Sequence, residues 1–440
     1  MREYFDEMAA AIQPLLRGAE RYTATFRGEE SDFVRFNRGA VRQAGAVTQR
    51  ALTVDLIEGR RHAAGTLTLR GDAGGDRARL ARLIGELREM RGELAEDPYL
   101  LYATAVHSTD RRRSAVLPDR DTAVRAIARA GEGRDLVGIY AAGSSHAGFA
   151  NSFGQRNWYS APSFNLDWSF FHDSDKAVKA AYAGTEWDAL ELERKVASAA
   201  EQLAVLARPS RALRPGRYRV YLTPAALYEI LGVVSWGGFG LRAHRTKTTP
   251  LIKMIEEGRR LHADLQISEH TGGGIAPDFQ DAGFIRPDRI TLVDGGAYRE
   301  CLVSPRSAAE YGVETNGASA SEAPASIEVG AGAVPVDGVL RELHTGLYVS
   351  NLWYLNFSDR TACRTTGMTR FATFWVENGV IQAPAEVMRF DETIYRMLGD
   401  NLMGLTAERE VILDPATYFQ RSTDSARLPG VLVDDFTLTL

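Results

Sequence analysis

Apolar residues first recur at helical spacing: Phe5, Met8, Ile12 and Leu15-Leu16 predict an amphipathic helix over residues 3–17. The period then shortens. Residues 22–47 (YTATFRGEESDFVRFNRGAVRQAGAV) and 50–71 (RALTVDLIEGRRHAAGTLTLRG) read as strand-like segments. In the second, Leu52, Val54 and Leu56 alternate with polar or small residues before the turn EGRR, which predicts a hairpin. Helical spacing returns at residues 76–94 and 120–130, and residues 136–173 read as a meander of strands with Gly and Ser turns. Residues 185–209 carry the clearest helical pattern, with Thr185 as the expected N-cap, an acidic first turn and a proline after the end.

Residues 208–218 (RPSRALRPGRY) combine proline and arginine with little apolar content, and the domain boundary is placed there. Beyond it, the strand YRVYLTP leads into a helix-like run at 223–236, TPAALYEILGVVSW. From residue 265 most segments alternate as strands between glycine turns, with Asn378-Gly379 as a tight hairpin signal. A short helix is expected within 391–405 and a last strand at 430–440. The pattern predicts an α+β protein, with a mixed α/β domain at 1–207 followed by a β-rich domain at 208–440.

The chain has 440 residues, enough for two cores. Its net charge of −5 gives no reason to expect a nucleic-acid partner. The one dense basic run, Arg111-Arg112-Arg113, has Asp110 before it and Asp119 and Asp121 after it, and reads as a solvated loop. Two cysteines, Cys301 and Cys363, do not make a disulfide framework. No secretory signal and no run of ~18 apolar residues is visible, so a cytoplasmic protein without a membrane span is expected.

Candidate chemistry is sparse. In the 223–236 run, Leu227, Leu231 and Val234 share one helix face while Glu229, Gly232 and Val233 lie opposite. On spacing alone this is a core helix whose one carboxylate is solvated or bonded to neighbouring backbone. None of the eight histidines lies four residues from another, so no helical pair offers two imidazoles to one zinc. His262, Asp264, Glu269 and His270 fall within nine residues and form the nearest approach to a metal cluster. Neither TGGGIAPDF nor VDGGAY sits in a strand–loop–helix phosphate fingerprint. In the aromatic strand at 346–358, strict alternation puts Asn351 with Val349 and Trp353, and Tyr348 and Ser350 on the other face. Both faces are largely apolar, so a central strand is expected. It either fills the core or lines a peptide groove.

Residues 346–405, with their apolar strand ending in ENG and the late element LGDNL at 398–402, resemble the C-terminal domain of the TldD/PmbA (TldE) family. The pair of strands at 50–69 resembles the family's early strands, so the resemblance covers nearly the whole chain. It implies an N-terminal α/β domain, a barrel-like, antiparallel C-terminal domain and pairing of two homologous chains. In the TldD branch it implies an H-E-x-x-x-H helix and a late cysteine that hold zinc, with the glutamate activating water to cleave unfolded peptides. The matching positions here are Tyr228, Glu229 and Val233, and residues 418–440 contain no cysteine. A phenol and a valine do not replace two imidazoles at neutral pH.

The expectation is therefore a TldE-like, non-catalytic subunit with no metal or cofactor of its own. Zinc is expected on a TldD-like partner in a heterodimer that binds and cleaves peptides, such as leader segments of modified natural products. Asn351, Asn356 and Arg360 are the candidate peptide contacts. Two alternatives stay open: a non-enzymatic peptide-binding homodimer, and a self-sufficient hydrolase with an unrecognised site, for instance around His262, Glu269 and His270.

Overall fold

The computed structural model describes residues 1–173 and 176–440. The first half is built on a seven-stranded sheet of β1 (Arg21–Asn37), β2 (Ala40–Glu58), β3 (Arg61–Thr68), β4 (Thr109–Arg112), β5 (Asp135–Asn151), β6 (Arg156–Asp173) and β7 (Lys176–Gly184). The strand order is β3-β2-β1-β5-β6-β4, with β7 also on β6. Period-two alternation makes the sheet two-faced. Tyr22, Ala24, Phe26, Val34 and Phe36 of β1 are buried on one face. Helices α1 (Arg2–Ile12) and α2 (Ala73–Glu93) cover one end of that face through Phe5, Met8, Ile12, Leu80 and Ile84. Helices α3 (Arg120–Ala130) and α4 (Ala189–Leu206) cover the other end through Ile127, Leu192 and Val196. The opposite face carries Thr25, Arg27, Glu29 and Ser31, and segments from the second half lie against it.

The second half begins with β8 (Gly216–Leu222) and α5 (Pro224–Ser235). Its strands are β9 (Ile267–Glu269), β10 (Ile290–Asp294), β11 (Ala297–Tyr298), β12 (Ser326–Val329), β13 (Gly346–Asp359), β14 (Arg364–Glu377), β15 (Val380–Pro384), β16 (Arg389–Thr393), β17 (Leu402–Leu413) and β18 (Ser425–Leu438). Pairing runs β18-β16-β14-β13-β8, and β8 pairs back onto β18, so these five strands close a barrel. The apolar face of α5 (Leu227, Ile230, Leu231, Val234) packs into the same core as Val220, Leu347, Val349, Val431 and Val433. A mixed α/β half and a largely antiparallel second half are the fold class the sequence pattern predicts.

Local chemistry departs from the expectation in five places. Residues 22–47 are themselves a hairpin, because Arg38 and Gly39 adopt φ of 52° and 69° and make the two-residue turn. The stretch 136–173 is not a meander but one hairpin of two long strands. Helix α4 is capped by Asp188, whose carboxylate accepts from Leu190 N at 2.8 Å, rather than by Thr185. The short helix expected in 391–405 is a single π turn, Arg396–Asp400, wedged between β16 and β17. The basic triplet is no solvated loop: Arg113 donates to the carbonyls of Thr271, Gly272 and Gly274 at 3.0, 2.8 and 2.6 Å. The Asn378-Gly379 turn forms as predicted, with φ of 51° and 77°.

One ion cluster ties α2 to the sheet. Glu20, 2% exposed, lies 2.7 Å from Arg88 and 3.1 Å from Arg91, and Arg91 also reaches Glu58 at 2.7 Å. The hydrogen bond from Arg88 leads the effects that hold the Glu20 carboxyl down at about 2, against an ordinary 4.5. A depressed carboxylate stabilises the fold fully above its unfolded value and loses that contribution as pH falls toward the folded one. Glu20→Gln should therefore lower stability at neutral pH by about 1–3 kcal/mol in urea unfolding, since Arg88 loses its carboxylate partner and Arg91 keeps only Glu58. The deficit should shrink between about pH 5 and pH 3. A deficit that stays constant over that range would show that Glu20 acts through packing alone.

Candidate functional site

Helix α5 starts where β8 ends, and its cap sets its direction. Thr223 Oγ1 accepts from Ala226 N at 3.3 Å and donates to Ser350 O of β13 at 2.6 Å, with Pro224 in the first turn. With Leu227, Ile230, Leu231 and Val234 committed to the barrel core, Glu229, Gly232 and Val233 turn the other way, and half-buried Tyr228 packs against the core while also lining the cleft. Tyr228 and Glu229 line a cleft of about 250 Å³ between the two halves, faced by Asp167, Lys179 and Asn165 of the first sheet and by Tyr348, Ser350 and Asn351 of β13. Asn165, Asp167, Leu413 and Pro415 also line an adjoining groove of about 630 Å³ along the first sheet. A separate cavity of about 470 Å³, walled by residues such as Arg27, Tyr99 and Arg306, takes no residue from α5 or β13.

The cleft is roofed by the segment between β17 and β18. Arg421 is buried against the polar face of the first sheet, donating to Gly143 O at 3.2 Å and to Ser163 O and Oγ at 3.1 and 2.8 Å. That anchor, with the bond from Asn165 Nδ2 to Leu413 O at 3.2 Å, fixes the start of the segment over the cleft.

Charge in the cleft is unevenly paired. Lys195 holds Glu410 at 3.1 Å, and Lys179 lies 3.8 Å from Asp167. Burial pushes the Asp167 carboxyl up despite Lys179. Glu229 opens to solvent on the cleft side, yet crowding by protein raises its proton affinity, with Lys179 opposing and the negative charge of Asp167 adding to the rise. The Tyr228 phenol is raised well above its ordinary value by burial, then by the charges of Asp414, Asp424 and Glu229, and stays protonated at neutral pH.

This donor set does not fit a zinc ion. A protonated phenol, one carboxylate and a valine stand at the three helix positions, and zinc takes imidazole, thiolate or carboxylate ligands. Among the described residues, no group of three or more His, Cys, Asp or Glu is placed to hold a metal. Burial pushes the Cys363 thiol, inside the barrel core, up to about 12. Burial also raises the Cys301 thiol. His270 Nδ1 lies 2.9 Å from Glu328, Glu269 accepts from Ser326 N at 3.1 Å, and His262 pairs with Asp264 at 3.6 Å, so the 262–270 residues are engaged with different neighbours.

Of the expected peptide contacts, Asn351 reaches the cleft and two do not. A register shift between Val349 and Asn351 interrupts strict alternation, so Asn351 lines the cleft together with Tyr348 and Ser350. Asn356 is exposed beyond the next irregularity, its Oδ1 accepting from Phe357 N at 2.8 Å. Arg360 clasps the loop after α5, donating to Thr248 O and Trp236 O at 2.7 and 2.6 Å over the Phe357 ring. Val233 is half-buried and does not line the cleft. Sequence reasoning missed Asp167, Lys179 and Ser350. Only Asp167 left a signal there, as a carboxylate inside the aromatic strand FNLDWSFF.

Residues 215–440 match the family model described as the PmbA/TldA metallopeptidase C-terminal domain. In structure the chain is similar to TldE from Thermococcus kodakarensis, with a TM-score of 0.78, 13% identity and coverage of 99% of this chain and 100% of that one. It is also similar to a proposed modulator of a DNA gyrase from Thermotoga maritima (TM-score 0.76, 13% identity, 99% of both chains). A third similar structure is a proposed modulator of DNA gyrase from Bacteroides thetaiotaomicron (TM-score 0.74, 15% identity, 99% of this chain and 98% of that one). No curated protein matches the chain.

A carboxylate whose proton affinity rises on folding stabilises the fold below its unfolded pKa, and that contribution is lost as pH rises through the folded value. Ionised Glu229 therefore costs stability at neutral pH. Glu229→Gln should raise the melting temperature at pH 7 by about 2 °C. The gain should fade as pH falls from neutral through the raised folded value and be gone by ~4, where the carboxyl is protonated in both states. A lower melting temperature for the variant at pH 7 would show that the carboxylate is a structural anchor.

Proposed function

Because the chain belongs to the PmbA/TldD metallopeptidase family, we propose that it is the TldE-like, non-catalytic subunit of a peptide hydrolase. In this reading it pairs with a homologous chain that carries the zinc, works in the cytoplasm and completes the walls of a chamber for unfolded peptides such as leader segments. The observation that carries the reading is α5 itself. The helix turns one carboxylate and a protonated phenol, and no imidazole, toward a cleft between the two halves. Without a cation to acidify a bound water, Glu229 has no nucleophile to assist. The cleft and its adjoining groove would supply what such a subunit needs instead, a strand-flanked surface that mixes polar and apolar side chains. An extended peptide bound there would take its affinity from main-chain hydrogen bonds and tolerate varied sequence. Asn351 is the proposed side-chain contact inside the cleft. Asn356 and Arg360 are proposed contacts only for a peptide that runs on past it.

The test starts with the chain purified alone without chelators. Zinc below about a tenth of an equivalent, and no cleavage of unstructured peptides, are expected. Mixing with a homologous H-E-x-x-x-H chain from the same genome should give a heterodimer that cleaves. Close to one equivalent of zinc surviving dialysis would sink the reading. In the assembled pair, Glu229→Gln should change kcat by less than about tenfold, under ~1.4 kcal/mol of barrier. A loss of about a hundredfold with assembly intact would assign Glu229 to the chemistry.

A further inference from the structure

Several polar groups meet at the cleft, and one of them, the Ser350 hydroxyl, has no partner among the described residues. Ser350 is 6% exposed, lines the cleft, and its Oγ has no hydrogen-bond partner. A buried hydroxyl without a partner costs about 1–3 kcal/mol, and such groups are rare in native folds. Asn351, 7% exposed, sits beside it with its side-chain amide in the same cleft. Glu229 forms no ion pair with any described residue, although the two lysines nearby are engaged: Lys179 with Asp167 and Lys195 with Glu410. The rings of Tyr228 and Tyr348 line the same space.

These groups have one chemistry in common. Two carboxylates, a hydroxyl oxygen and an amide oxygen all accept hydrogen bonds, and the phenol rings offer negative faces. An anion would find both cleft lysines engaged, Lys179 by Asp167 and Lys195 by Glu410, and would meet the unpaired Glu229 carboxylate. A purely apolar group would leave Ser350 Oγ and Glu229 dry and unpaired, which costs more than it gains. A positively charged donor satisfies every one of them.

We propose that the cleft floor formed by Glu229, Asp167, Ser350 and Asn351 is a subsite for an alkylammonium group, carried by a lysine side chain or by a free amine. The lysine form rests on the peptide-binding reading above and gives it a substrate preference: peptides with a basic residue at the position that passes α5. Glu229 supplies the unpaired charge, Ser350 Oγ and the Asn351 carbonyl oxygen accept two of the ammonium protons, and the third faces Asp167. Lys179 limits how much charge Asp167 contributes, so Glu229 dominates selectivity.

The experiment is calorimetric titration of the full chain at low salt with four probes. Three are short unstructured peptides identical but for one central residue, which is lysine, norleucine or glutamate. The fourth is n-pentylamine. The lysine peptide should bind at least about tenfold more tightly than the norleucine peptide, and the glutamate peptide most weakly. Glu229→Gln and Ser350→Ala should each erase most of that preference while melting as cooperatively as the parent. Equal affinity for lysine and norleucine would overturn the subsite and leave peptide binding standing. Binding of n-pentylamine that depends on Glu229, with no peptide bound, would support the subsite as a small-amine site and overturn the peptide reading. No binding of any probe would overturn the subsite. A preference for lysine that survives Glu229→Gln, Ser350→Ala and Asp167→Asn would also overturn it.

Discussion

The buried guanidinium of Arg421 joins the two halves where it matters. It enters the polar face of the first sheet and donates to Gly143 and Ser163, while its own backbone N–H reaches the buried carboxylate of Glu29. Hydrogen bonds to a charged group are among the stronger ones a fold makes, and a guanidinium spreads them over a plane. The sheet must leave room for this approach. A side chain at Gly143 would put its Cβ 2.1 Å from Glu30 O, so only glycine lets β5 lie that close to β1. Once Arg421 is seated, the chain between β17 and β18 has one path, and that path carries Leu413 and Pro415 over the cleft.

How far the sequence revealed this depends on the range of each interaction. Periodicity and local turn chemistry act within a few residues, so the amphipathic helices, the Asn378-Gly379 hairpin and the two-faced character of α5 were legible. The family resemblance singled out Tyr228, Glu229 and Val233. Three kinds of feature were hidden. The shift at Ser350 is one: alternation assigns Tyr348 and Asn351 to opposite faces, and a single irregular residue brings both into the cleft. The anchors Arg113 and Arg421 are another, because their acceptors are backbone carbonyls that carry no sequence signature. The third is Asp167, whose meaning depends on which strand of the second half lies across from it.

The cleft shows how tolerance and constraint divide along one helix. The four apolar side chains of α5 are fixed by the barrel core, and the Thr223 hydroxyl fixes its origin on β13. Nothing in that framework specifies the outer face. Chemistry there can vary without disturbing the fold, and the framework holds whatever stands at 228 and 229 against the same opposing wall of β6 and β7. Rigid placement of a variable face suits a fold whose members share architecture at identities as low as 13–15%.

Closure of the barrel also imposes an order in time. Val220 on β8 pairs with Val433 on β18, so the first strand of the barrel meets its last neighbour only about 210 residues later. At a synthesis rate of about 5–20 residues per second, the nascent chain waits on the order of ten to forty seconds with one side of β8 unpaired. The first sheet, all of whose strands precede residue 185, can be complete by then. The ribosome therefore presents a finished half beside an open one, and the waiting edge of β8 is where a chaperone has most to protect.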